Sequence, residues 1–287
     1  MSGITVAPAR HGPFAGRLEP ETIAAYAAAT GDRTASVLDG LAVPAVFPVI
    51  LVFTPNEAAR GDLPDSIWQH VRGGVHGAHD IVLHRPLVPG EPLDTWSHIS
   101  AVRTSRAGTQ VVMRFDQVDA DGAVAVEQWW TMVLLGLQGV ADLGSTPADH
   151  RFPDDARARP VGSVTHHIDE DVARRYAEVS GDWSAHHFDI AAARAAGFGF
   201  VFTHGLCTMA ICTHRLLALL GVDDPGRVRR VAVRFASPTP LASNLTVNAF
   251  GIVEHSFAFE AVAGRAGNPG PSNGATTITH GRLELRP

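Results

Sequence analysis

Three stretches in the first half of this chain recur, in the same order, in the second half. GRLEPETIAAYAAATGDRTASV near residue 20 parallels THHIDEDVARRYAEVSGDWSAHH near residue 170, pairing Tyr26 with Tyr176, Gly31 with Gly181 and Asp32 with Asp182. PAVFPVILVF from Pro44 parallels GFVFTHGLCTMAI from Gly199, and HRPLVPGEPLDTWSHISAV from His84 parallels FASPTPLASNLTVNAFGIV from Phe235. Self-similarity of this kind means one structural unit used twice. Residues 141–160, ADLGSTPADHRFPDDARARP, mix Pro, Gly, Asp and Arg with almost no large apolar residue and read as a linker. The expected organisation is a first repeat over 1–140, a linker over 141–160 and a second repeat over 161–287. A length of 287 residues agrees with two units at roughly 150 residues each.

Within each half the first matched segment reads as a short helix closed by a Gly-Asp turn, opened by acidic residues. The second reads as a longer apolar helix. After the third come runs such as VVMRFDQVDADG, VAVEQWWTMVLLG, HSFAFEAVAG and TTITHGRLEL, whose alternation and Gly punctuation mark antiparallel strands joined by hairpins. The predicted class is α+β, one helix packed on an antiparallel sheet in each repeat.

Composition removes several function classes. With 45% hydrophobic and 18% charged residues the chain is too apolar to be disordered. A net charge of −6 gives no basic field for nucleic acid or an anionic membrane surface. All 23 basic residues are Arg, so Schiff-base chemistry, a phosphate-loop lysine and a lysine base have no ammonium to use. Cys207 and Cys212, five apart, point about 140° away from each other on a helix, which argues against a disulfide or a Cys-based zinc site. No secretory signal and no run near ~20 apolar residues is present, and the expected location is cytoplasmic.

The chemistry is expected where the halves differ. Asp182 and His187 lie five apart at the exit of a helix, whereas the position matching His187 is Val37. A carboxylate and a neutral imidazole can hold one water and move its proton, general acid/base work worth about 10²–10⁴-fold in rate. His204-Gly205, matched by Val49-Ile50, precedes the apolar run LCTMAICTHRLLALL. The Gly205 N–H at the start of such a helix is an orphan donor suited to an oxygen gaining negative charge. His204 is read as orienting this turn, and Asp189 as the N-cap of the Ala-rich run after it. Trp129, Trp130 and Phe47 are read as core, with a tunnel lining as the other option. His166-His167 is read as a solvated turn.

The run GDWSAHHFD, then AGF, then HG before an apolar helix resembles the signature GDxNPxHxD…AGF…HGM of the MaoC-like dehydratases, the (R)-specific enoyl-thioester hydratases. RFASPTPLASNL is similar to that family's later strand motif, and HRPLVPGEPL to the decayed first repeat of its two-repeat members. The resemblance implies a double hotdog, two long central helices each wrapped by an antiparallel sheet, with one active site per chain. It implies reversible syn addition of water to a trans-2-enoyl thioester of coenzyme A or acyl carrier protein, giving an (R)-3-hydroxyacyl thioester. By position, Asp182 and His187 are implied to activate the water and Gly205 to hold the thioester oxygen; no metal or redox cofactor is implied. The degenerate repeat, without catalytic groups, is implied to shape the acyl pocket.

Ser184 and Ala185 depart from the family's Asn and Pro, and His186 from an apolar residue. Ser184 can still bond the turn backbone. Ser184, His204, Arg230 and Arg234 are further candidates for substrate or carrier binding. Arg229, Arg230 and Arg234 offer forks for coenzyme A phosphates, and alternation puts Arg230 and Arg234 on one strand face, which an exposed sheet face explains equally well. The expected partner is the acyl thioester, with no nucleic acid and no membrane; a homodimer is compatible with the sequence. Two competing readings are a hotdog acyl-CoA thioesterase and a non-catalytic acyl-binding subunit of a dehydratase.

Overall fold

The computed structural model describes residues 4–265 and 274–287. Its strands are β1 (His11–Phe14), β2 (Gly73–Leu83), β3 (Asp94–Thr104), β4 (Gly108–Val118), β5 (Val124–Leu135), β6 (Leu143–Gly144), β7 (Pro160–Ile168), β8 (Phe202–Thr203), β9 (Val228–Phe235), β10 (Thr239–Pro240), β11 (Ser243–Val253), β12 (Ser256–Arg265) and β13 (Ala275–Leu285). Its α-helices are α1 (Pro20–Thr30), α2 (Ala35–Leu38), α3 (Phe53–Arg60), α4 (Val172–Ser180), α5 (Ile190–Ala195) and α6 (Gly205–Leu219).

The main sheet runs β1-β3-β4-β5-β2-β9-β13-β12-β11-β7. Reversing the second half of that order gives β7-β11-β12-β13-β9, the same path as the first half. Two equivalent antiparallel sheets are therefore joined edge to edge, and the joint is the antiparallel pair β2–β9 in register Asp80↔Ala232 and Val82↔Arg230. Fusion covers one edge of each sheet, which would otherwise expose unpaired backbone groups. Asp80 and Arg230 are diagonal neighbours across this seam and form a buried ion pair, with Arg230 Nε 3.0 Å and Nη2 2.6 Å from the Asp80 carboxylate.

Matching helices also meet. α1 and α4 both end on a left-handed glycine, Gly31 at φ 67° and Gly181 at φ 78°, as the Gly-Asp motifs predict. Neither helix start makes a side-chain cap bond; at α4, Asp169 instead accepts from Arg175 at 2.7 Å. Tyr26 and Tyr176, both fully buried, pack with ring centroids 5.8 Å apart between the two helices.

The second matched segment does not fold alike in the two halves. In the second repeat α6 runs for 15 residues and is buried on nearly every side, the pattern of a helix inside the core. In the first repeat the expected long apolar helix is absent, and with it one of the two long central helices the family resemblance implies. A 3-10 segment, Phe47–Leu51, gives way to the eight-residue α3 instead. Pro55, which matches Ala210 inside α6, has no N–H to return to the carbonyl of Leu51, so a continuous helix through it would lose that bond and meet a ring clash. The stretch 141–160 is not bare linker, since it contains β6, paired with β3, and a 3-10 turn at Ala156–Ala158.

Candidate active site

α4 ends at Gly181, and the left-handed turn delivers Asp182 beside the start of α6. One carboxylate oxygen, Oδ1, accepts from the Ser184 N–H at 3.1 Å and the Ser184 hydroxyl at 2.5 Å, which leaves Oδ2 uncommitted. Burial acts to raise the Asp182 carboxyl, but the Ser184 donors and the neighbouring His204 and His187 outweigh it, and the net shift is downward.

His187 closes the 3-10 turn Ala185–His187 and is 5% exposed. Its Nδ1 lies 2.9 Å from the Phe202 carbonyl, which can only accept. Nδ1 therefore carries the proton and Nε2 presents a lone pair. Burial, then the adjacent His204 and His186, pushes this imidazole far below its ordinary range, so it is neutral at pH 7. A neutral ring with a fixed tautomer is a base ready to accept a proton.

His204 is the N-cap residue of α6. Its Nε2 donates to the Asp182 backbone carbonyl at 2.9 Å and lies 4.0 Å from Asp182 Oδ2, so it ties the Gly-Asp turn to the helix start. One ligating atom each of Asp182, His187 and His204 lies within 4.8 Å of the others, a spacing that suits one shared water and would also suit a cation. Gly205 is the first residue of α6, and its N–H has no partner within the helix. A Cβ there would sit 3.2 Å from the Phe235 ring, so glycine allows both that packing and close approach of a ligand to the backbone.

These groups open onto a cavity of about 530 Å³. Its second-repeat wall carries Asp182, His187, His204, Gly205 and Phe235, and its first-repeat wall carries Asn56, His76, Trp130, Met132 and Leu134. His76 stacks on Trp130 at 3.9 Å and packs on Phe235 at 4.7 Å, which joins the two walls. The sequence offered nothing that would single out Asn56, Arg60 or His76 for this wall, since the His-Gly dipeptide also occurs at His11, His204 and His280. Trp130 therefore lines the cavity, while Phe47 is fully buried core and Trp129 lies beneath the Arg114 guanidinium at 5.4 Å.

Other sequence candidates fall elsewhere. Arg230 is no anchor for a carrier phosphate, because its guanidinium is buried against Asp80 and donates also to the Ala148 carbonyl at 2.7 Å. It does not share a solvent face with Arg234 either: Arg234 is exposed, and Arg229 pairs with Glu284. His166 and His167 lie on β7 rather than in a turn; His166 accepts from Arg215 at 3.1 Å and His167 bonds Asn244 at 3.0 Å. Asp189 caps α5 by accepting from Ala191 and Ala192. His186, which the sequence leaves without a role, lies against Phe202 with ring centroids 5.5 Å apart and lines the cavity. Cys207 and Cys212 are free and buried.

Residues 153–255 match the model of the MaoC like domain. It is 31% identical over 169 residues to 3-hydroxyacyl-thioester dehydratase Y of Mycobacterium tuberculosis, a match spanning 57% of this chain and 57% of that relative. Among solved structures it is similar to a MaoC-like dehydratase of Phytophthora capsici, with a TM-score of 0.80 at 19% identity over 98% of this chain and 96% of the other. A conserved Mycobacterium tuberculosis protein described as a double hotdog matches with a TM-score of 0.61 at 15% identity, over 99% and 96% of the two chains. The fold is a double hotdog. No helix among the described residues is long and apolar enough to cross a membrane.

Proposed function

We propose that this chain is a hydro-lyase that reversibly adds water to a trans-2-enoyl thioester, carried on coenzyme A or acyl carrier protein, to give the (R)-3-hydroxyacyl thioester. The observation that carries the reading is the meeting of the Asp182 carboxylate and the neutral His187 Nε2 beside the unpartnered Gly205 N–H at the mouth of α6.

In the proposed reaction Asp182 and His187 grip one water. Its oxygen bonds to C3 of the enoyl group while His187 Nε2 takes a proton, and a proton returns to C2 on the same face; the C2–C3 double bond becomes single and one water is consumed. Negative charge gathers on the thioester oxygen in between. The Gly205 N–H, at the positive end of the α6 dipole, meets that oxygen, a donor worth about 2.7–4 kcal/mol in such sites. His204 acts as a positioning residue by holding the Asp182 carbonyl. Ser184 holds the carboxylate rather than the substrate. Substrate and water balance the equation, so no redox cofactor enters, and the guest between Asp182, His187 and His204 is taken to be water.

The test is hydration of enoyl-CoA substrates of graded length, followed by loss of enoyl absorbance and by oxidation of the product with an (R)-specific dehydrogenase. Hydration giving the (R) product, unchanged after dialysis against a chelator, supports the proposal. Release of free thiol from saturated acyl-CoA would support a thioesterase instead. Binding without turnover across the series would support an acyl-binding subunit.

A further inference from the structure

The first-repeat wall of the cavity carries polar groups that the hydration chemistry leaves unused. Asn56 and Arg60 are four residues apart on α3, hence on one face of that helix, and both line the cavity. Asn56 is 7% exposed, yet its Oδ1 has no hydrogen-bond partner; the Arg60 Nε is likewise buried and unpartnered, as is the His76 Nε2 nearby on the same wall. Among the described residues no carboxylate lies within ion-pair distance of Arg60. Arg230 is matched by Asp80, and Arg85 by Glu91 and Asp119, while the half-buried Arg103, Arg227 and Arg286 have no carboxylate among the described residues but donate to backbone carbonyls. Trp68 packs 5.9 Å from the Arg60 guanidinium, and Val71, Met132 and Leu134 supply the apolar surface around it.

A buried N–H donor such as the Arg60 Nε is unfavourable when no acceptor replaces the water that burial removes. A planar fork of N–H donors next to a side-chain amide is the arrangement that receives a carboxylate. Pro55 falls at a position that is inside the continuous α6 in the other repeat, and the short α3 that forms here carries Asn56 and Arg60 on the cavity side.

We infer that the acyl chain bound here carries a second, free carboxylate at its distal end, held by Arg60 and Asn56 across the cavity from Asp182 and His187. The substrate class is thus the mono-thioester of an unsaturated dicarboxylic acid. This inference rests on the hydratase reading. A plain alkyl tail would leave the Arg60 Nε donor unpaired, whereas a carboxylate accepts from it and from the Asn56 amide N–H, and sites built to bond a polar group reject analogues that lack it.

The experiment compares kcat/KM for ω-carboxyl trans-2-enoyl-CoAs with that for unsubstituted enoyl-CoAs of equal length. The expected result is a preference of at least about tenfold for the carboxylate at one length, falling by at least about tenfold in Arg60→Met. Arg60→Lys, which keeps the charge, should retain part of the preference and guards against a folding defect in the Met variant. Hydration of both series with no preference would overturn the inference and leave the hydratase reading intact. So would an equal loss on both series in Arg60→Met, which would mark Arg60 as a contact to the carrier's phosphates. If neither series is hydrated, the hydratase reading fails. Calorimetric binding of the saturated dicarboxylic and monocarboxylic acyl-CoAs then decides the inference separately: tighter binding of the dicarboxylic ligand supports it and equal binding rejects it.

Discussion

In the first repeat Asp32 accepts from the Thr34 N–H at 3.0 Å and the Thr34 hydroxyl at 2.7 Å; in the second, Asp182 accepts from the N–H and hydroxyl of Ser184 in the same pattern. Both turns follow a left-handed glycine at the end of a helix. Beyond that point they diverge. Val37, 1% exposed, stands where His187 stands. The space next to Asp32 is closed by His214 from α6, which bonds the Thr30 carbonyl at 3.0 Å, and what remains is a cavity of about 10 Å³ against about 530 Å³ at Asp182. The smaller volume hardly admits one water. The Gly-Asp turn is thus a local structural device with its own reason to persist. Chemistry needs three additions: an imidazole, a helix whose first N–H is free, and room for a ligand.

The largest expected effect is at the imidazole. His187→Ala should lower kcat for enoyl-CoA hydration by about 10²–10⁴ while the thermal midpoint stays near that of the parent. Making the two turns more alike should not create a second site: Val37→His would bury an imidazole with little room and no designed partner, and denaturant unfolding should show a loss of about 1–3 kcal/mol with no gain in turnover.

Acidity provides a third comparison. Burial lowers His76, His79, His187, His204 and His214, with His79 at about 4. The unfolded chain therefore takes up protons at these sites before the folded one does. Stability is intact above the unfolded value of about 6.5 and falls as pH drops from there toward the folded values, by up to about 1.4 kcal/mol per pH unit for each such histidine. Thermal midpoints between pH 7 and 5 should show this decline. kcat/KM, in contrast, should hold level through pH 6.5, since the His187 base is still neutral there. The smallest effect is at Ser184: Ser184→Ala removes one donor to Asp182, should raise the pH at which the acid limb of kcat/KM appears, and should cost about 0.5–1.5 kcal/mol.

Much of this architecture was legible because its causes are local. The duplicated segments announced two copies of one unit, glycine marked both turns, and alternation marked the strands. The pairing of Asp182 with His187 followed from a five-residue spacing around one turn, while their meeting with the His204-Gly205 helix start was implied only by the family resemblance. What could not be read depends on partners far along the chain. Arg230 looked like a phosphate ligand because nothing near it in sequence shows Asp80, 150 residues away, as its partner across the seam. The first-repeat wall of the cavity was equally hidden, for Asn56, Arg60 and His76 acquire meaning only when β2 and β9 pair. The broken helix was the exception. Pro55 was visible, but the apolar run and the match to the second repeat outweighed it.

The claim on which the rest depends is that one repeat performs the chemistry and the other supplies only structure and a wall. Making the same change at the matching positions tests it most directly: Asp182→Asn and Asp32→Asn, assayed side by side for hydration of a single enoyl-CoA. Loss of at least about a hundredfold in kcat for Asp182→Asn, with Asp32→Asn at the parent rate, is the predicted result. Equal losses in the two variants, or parent activity in Asp182→Asn, would contradict it.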